Sequence, residues 1–342
     1  MTAVFDGHND ALLRLWRQGQ INGDTHGNSF ITGTAEGQLD LPKARRGQMI
    51  GGLFAMFTPA PDRDGNILNL DPVDHSDALA ATNAMFGIAE HLANDHPDQI
   101  KICHKAEDIR AAMTNDQMAM VMHIEGAEAI KPDLSNLDAF YDRGLRSLGP
   151  VWSRPNDFAV GVPFEYPASP DIGTGLTDAG RALITACNKK RIMIDLSHMN
   201  EAGFWDIAAI TDAPLVATHS NAHSICAASR NLTNRQLAAI AESGGLVGVN
   251  FAVGFLRPDG QKNPDMALAV IIRHLDHLLS HLGESGLALG SDFDGAEMAH
   301  DLNNARDLPN LITAMKAAGF GDDLIRRICH QNWINMIKQV IG

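Results

Sequence analysis

The segment Asp6-Gly7-His8-Asn9-Asp10 places an imidazole and a carboxylate two positions apart near the start of the chain. In extended backbone such positions project to the same side, so His8 and Asp10 can share one cation. Three further ligand types close short apolar runs: Glu125 after Met118–Ile124, His198 after Ile192–Ser197, and His219 after Leu215–Thr218. A carboxylate can bridge two cations, whereas a neutral imidazole gives one nitrogen to each. His8 and Asp10 with His198 and His219 around a shared Glu125 therefore suit a two-metal site. Imidazole and carboxylate without thiolate favour zinc, with manganese or cobalt as alternatives.

Asp292, in Leu289-Gly290-Ser291-Asp292-Phe293-Asp294-Gly295, ends another such run. Two cations would lower the pKa of a bridging water, and Asp292 could accept its proton and pass it to a leaving amine. That chemistry is hydrolysis, with a bridging hydroxide as the attacking group. Arg230, in the loop after His219, has the planar fork of donors that captures a substrate carboxylate. Other titratable residues read as structural. His274, His277 and His281 share a helix with an apolar stripe and are expected on its solvated side. His123 shares the strand face of Glu125 and is expected as a buried, hydrogen-bonded residue one layer below the metals. His223 and Asp294 read as outer supports or turn residues.

For these residues to converge, the strands that carry them must end on one face. Eight β-rich runs alternate with amphipathic segments: Ala3–His8, Gly51–Thr58, Met118–Glu125, Leu145–Trp152, Arg191–His198, Leu215–His219, Gly245–Phe251 and Leu287–Asp292. This is the pattern of a (β/α)8 barrel, whose strand C-termini gather at one mouth. Leu268, Ile271, Ile272, Leu275, Leu279 and Leu282 repeat at helical spacing with Gly283 as a stop, and Thr177 reads as a helix N-cap. The Pro- and Gly-rich stretch 153–175 is expected to overhang the mouth. No internal repeat or linker composition divides the chain, so a single domain over 1–342 is expected.

Composition narrows the partners. A formal net charge of -14, with no basic run, argues against nucleic acid. Cys103, Cys187, Cys226 and Cys329 are scattered and read as reduced structural residues. The opening residues lack a basic stretch followed by a long apolar one, and no run of about 18 apolar residues occurs. The expectation is a cytoplasmic chain that does not enter a membrane.

Taken in order, the motifs Asp6–Asp10, Glu125-Gly126-Ala127, Asp195-Leu196-Ser197-His198, His219-Ser220-Asn221, Arg230-Asn231 and Gly290–Gly295 resemble the membrane (renal) dipeptidase family of zinc metallopeptidases. So do Leu137, Tyr141 and Gly144-Leu145-Arg146, and the likeness spans nearly the whole chain. The resemblance implies a distorted (β/α)8 barrel of amidohydrolase type. It implies one zinc on His8, Asp10 and Glu125, a second on Glu125, His198 and His219, substrate binding by Arg230, and assistance by Asp292. It also implies dipeptide substrates, often with a D-residue at the C-terminal position, β-lactam opening in some members, and a homodimer.

One position departs from that family. Where a His usually follows the fourth strand, this chain reads Gly149-Pro150-Val151-Trp152-Ser153-Arg154. The family His is held to stabilise an oxyanion or position substrate, and an indole donates one hydrogen bond but cannot become a cation. Arg154 or a zinc is the candidate substitute, and Trp152 a candidate pocket wall. Two alternatives stay open on sequence alone: another metal-dependent amide hydrolase acting on acyl-amino acids or β-lactams, and a non-catalytic metal-binding barrel. Retention of Asp292 speaks against the second.

Overall fold

The computed structural model describes residues 2–60 and 70–342. Nine parallel strands occur there: β1 (Val4–Asn9), β2 (Met49–Phe57), β3 (Ile100–Ile102), β4 (Met118–Glu125), β5 (Leu145–Gly149), β6 (Met193–Ile194), β7 (Val216–Ala217), β8 (Leu246–Val249) and β9 (Leu287–Leu289). One ladder runs β1-β2-β4-β5-β6 and another β7-β8-β9. Single bridges, Asp195 with Val216 and Asn9 with Phe293, join them into a closed barrel. The second junction is held by Asp10 N–H on the Phe293 carbonyl (2.8 Å) and Asp292 N–H on the His8 carbonyl (3.0 Å). Every residue of β1 and β4 is buried, as expected of strands covered on both faces.

All eight expected runs contain a strand, but the later ones are shorter than the runs. His198 follows β6 by several residues, and Asp292 lies beyond β9. Both take positive φ, 66° and 64°, so the chain turns there instead of extending the ladder. The extra strand, β3, pairs with the first half of β4 before β5 takes over the same edge. Backbone segments approach closely beside Thr218. A Cβ on Gly7 would lie 2.5 Å from the Thr218 carbonyl, and one on Gly290 only 1.9 Å from it. Trp333 plugs that region, donating its indole N–H to the Leu289 carbonyl at 2.8 Å.

Local signals act as expected around this frame. Thr177 accepts from Gly180 N–H at 3.0 Å and caps the helix Asp178–Lys190. The helix Ala269–Leu282 stops at Gly283, with φ 69°. Two of its positions correct the periodic reading: Leu278 is buried, and so is His274, which was expected in solvent. The His274 ring accepts from Ala222 N–H through Nδ1 (3.2 Å) and donates from Nε2 to the Leu256 carbonyl (2.9 Å), which ties a loop and the short helix Val253–Leu256 to this helix. The four cysteines are free and buried. No helix among the described residues is long and apolar enough to cross a membrane.

Candidate metal centre

The barrel mouth collects the predicted ligands around one carboxylate oxygen. Glu125 Oε1 lies 2.9 Å from His198 Nε2, 3.3 Å from His219 Nε2 and 3.6 Å from His8 Nε2, and His8 Nε2 is 3.5 Å from Asp10 Oδ2. Two triads sharing Glu125 each gather their donor atoms within 4.8 Å: His8, Asp10, Glu125 and Glu125, His198, His219. Glu125 is the last residue of β4, His8 lies within β1, and Asp10 directly follows β1. All five are buried.

The donor chemistry fits cations. Thr218 has one hydroxyl proton, which it gives to Asp195 Oδ2 at 2.6 Å. Its oxygen must therefore accept from Nδ1–H of His219 at 2.8 Å. That fixes the tautomer and leaves the Nε2 lone pair of His219 aimed at Glu125 and at His198 Nε2, 3.1 Å away. A bare nitrogen lone pair facing a carboxylate oxygen calls for a positive charge between them. Both ring nitrogens of His8 are buried without a hydrogen-bond partner. Burial, then Arg230 for His198 and His8 for His219, holds both of those imidazoles well below their usual pKa, in the neutral form a metal needs.

Asp292 stands beside these ligands, and with His8 and His219 it forms a further group of converging donors. Its Oδ2 accepts from Asn250 Nδ2 at 2.8 Å. The amide orientation is fixed because Asn250 Oδ1 accepts from Ala252 N–H at 2.6 Å. Burial, then the Asp10 carboxylate, pushes Asp292 up to about 6. His123 lies beneath, its Nδ1 2.9 Å from Ser147 Oγ and its Nε2 3.6 Å from Asp195 Oδ2, and burial pulls it down to about 3. Asp294 accepts from Arg14 Nε at 3.0 Å, and His223 bonds the Ala168 carbonyl at 2.9 Å.

A cavity of about 520 Å³ opens over the ligands, lined by Asp10, Glu125, His198 and Asp292 and by the rings of Phe57, Trp152, Phe164 and Phe255. Trp152 packs between Phe57 and Phe164, with ring centroids 4.8 and 5.2 Å away. Phe164 comes from the 153–175 stretch, which thus reaches the mouth. Arg230 is buried behind the lining, donating to the His219 carbonyl (3.1 Å) and Ser220 Oγ (3.3 Å), with its guanidinium over the Phe255 ring and Nε free of a partner. Arg154 is not brought to the cavity. It pairs with buried Glu128 at 2.7 Å, donates to the Thr58 carbonyl, and lies over the Phe57 and Trp152 rings. Sequence reasoning passed over Asn250 and Thr218, and it quoted Asp195 within a motif without giving it a role. Their signal was faint, a polar residue at or before a strand end, where hydrogen bonding inside the barrel is the ordinary role.

Comparison with known proteins agrees with this geometry. The chain is 44% identical to a metallopeptidase from Rhodobacter sphaeroides solved with a phosphinate mimic of the dipeptide L-Ala-D-Ala, with a TM-score of 0.95 over 99% of each chain. It is 45% identical to dipeptidase AC, a metallopeptidase of family M19, with a TM-score of 0.95 over 100% of this chain and 99% of the other. An uncharacterised protein from the PQQ-III 3' region of Acinetobacter calcoaceticus is 43% identical over 82% of this chain and 90% of its own length. The model of the membrane dipeptidase family matches residues 1–341, and the chain belongs to that family, peptidase family M19.

Proposed function

We propose that this chain is a dipeptidase that works with two divalent cations, zinc by the character of its ligands, and accepts a D-residue at the C-terminal position. The observation that carries the reading is the single Glu125 oxygen shared by three imidazoles beneath an open cavity of dipeptide size. The phosphinate dipeptide mimic bound by the Rhodobacter relative supports both the substrate and the stereochemistry.

His8 and Asp10 would hold one cation, His198 and His219 the other, and Glu125 would bridge. When bound, two such cations acidify a water and polarise the peptide carbonyl. Asp292, held through Oδ2 by Asn250, takes up a proton and returns it to the leaving amine. Arg230 supplies a fixed positive charge for a substrate carboxylate or the developing oxyanion. Trp152, Phe57 and Phe164 form an apolar wall that keeps bulk water from the reacting carbonyl.

The test is zinc titration combined with a substrate panel of dipeptides, N-acyl amino acids and β-lactams. Two metals per chain and turnover of dipeptides are expected, with Glu125→Gln losing both. Saturation at one metal, or turnover confined to the acyl-amino acids or β-lactams, would refute the reading.

A further inference from the structure

The cavity carries more cationic charge at its rim than a neutral dipeptide requires. Seven of its lining residues are acids or bases other than histidine: Asp10, Arg17, Glu125, Lys262, Asp292, Asp294 and Glu297. Asp10, Glu125 and Asp292 belong to the metal centre, and Asp294 is engaged by Arg14. Arg17, Lys262 and Glu297 remain. All three are exposed, and none has an ion-pair partner among the described residues.

Local structure aims both cations at the opening. Asp10 immediately precedes the helix Ala11–Asn22, and Asp10, Leu13 and Arg17 all line the cavity. Spacings of three and seven residues put them along one helix face, and Arg14, at the i+4 position of the same face, is engaged by Asp294. Lys262 lies over Gly254, where a Cβ would come within 3.1 Å of its Cγ. The absent side chain at 254 is thus what lets the lysine stem rest against the wall.

A zwitterionic dipeptide presents one ammonium and one carboxylate, so it needs one anion and one cation. The rim offers Glu297 against both Arg17 and Lys262, a surplus of one positive charge before buried Arg230 is counted. Resting on the dipeptidase reading, we propose that this site selects dipeptides that carry an acidic side chain. Arg17 and Lys262 recognise the two carboxylates, and Glu297 faces the ammonium. In a protein of net charge -14, a local cationic rim also steers an anionic substrate to an otherwise repulsive surface.

The experiment measures kcat/KM of the metal-loaded protein for Ala-Glu against isosteric Ala-Gln, in both configurations of the second residue, and for Glu-Ala against Gln-Ala. An exposed ion pair gives about 1.5- to 5-fold, and the acid member of each substrate pair gains one over the amide, so a preference of about 1.5- to 5-fold is expected at low salt, shrinking as salt screens it. The double variant Arg17→Gln/Lys262→Gln, its folding checked by thermal melting, is expected to bring the ratio close to one. Equal rates for the acid and amide members of both pairs, or a preference untouched by the double variant, would overturn the proposal. Should no dipeptide be hydrolysed, the dipeptidase reading falls by itself. Calorimetric binding to the metal-loaded protein then decides this inference: tighter binding of the glutamyl member upholds it, and equal binding overturns it.

Discussion

Replacing Thr218 by Val keeps the β-branched shape beside His219 and removes one oxygen. In the native protein that oxygen takes the Nδ1 proton of His219 at 2.8 Å and passes its own proton to Asp195 at 2.6 Å. Without it, the nearest acceptor is Asp195 Oδ2, 3.9 Å from Nδ1, beyond hydrogen-bond reach. The buried ring then gains by moving its proton to Nε2, where Glu125 Oε1 lies 3.3 Å away, and a metal must expel that proton to bind. A buried hydrogen bond left unmade costs about 1–3 kcal/mol, which agrees with the roughly 10–100-fold loss of affinity seen when an outer partner of a ligating His is removed. On the proposed two-cation reading, competition with a chromophoric chelator should therefore show one of two zinc equivalents weakened by about 10–100-fold in Thr218→Val and restored in Thr218→Ser. Affinities within about threefold of the native protein for both equivalents would refute the assigned tautomer.

Asn250→Asp sets a carboxylate where the native amide donates to Asp292 at 2.8 Å, so kcat should fall by about 10–100-fold while metal content is retained, as measured by steady-state kinetics with metal analysis. Arg154→Met leaves buried Glu128 uncompensated and should cost about 3–5 kcal/mol in chemical denaturation, with Glu128→Gln in the same chain recovering most of it. Burial lowers His274 from 6.5 to about 4, so the folded state holds it neutral. Its stabilisation is present above pH 6.5 and is lost as pH falls toward 4, at most about 3 kcal/mol. Denaturation of His274→Gln should show that much less loss of stability over the same interval.

The barrel and the convergence of the candidate ligands were legible for the same reason: both are written in strand ends. A buried parallel strand needs an apolar run, and an ionisable residue closing such a run has few roles. Hence His8, Glu125 and His219 stood out before any fold was known. The three-residue strand Ile100–Ile102 was not legible, because it is too short and has Lys101 at its centre. The fate of Arg154 was equally hidden, since only the fold brings Glu128 within 2.7 Å of it. His274 misled because helical spacing assigns a face, and at this position the loop carrying Ala222 and the short helix ending at Leu256 cover the ring. Asn250 and Thr218 act through bonds to other ligand-bearing residues, and single polar residues do not announce such partners.

The centre's charges make one consequence unavoidable. Burial raises the carboxyls of Glu125 and Asp292 and lowers the imidazoles of His198 and His219. His8 moves the other way. Burial pulls it down, but Glu125 first, then Asp10 and Asp292, raise it to about 10 overall. In the metal-free protein at neutral pH a proton on His8 therefore supplies the positive charge that the surrounding carboxylates demand. A cation that takes the His8 nitrogen must displace that proton, so metal uptake and proton release are linked. Affinity at the His8 position should rise about tenfold per pH unit between pH 7 and the His8 pKa, and then level off. Calorimetric titration in buffers of different ionisation enthalpy reads the released proton directly. A heat of binding independent of the buffer would show that His8 is already neutral, and that the carboxylates around it are held in check by something other than its charge.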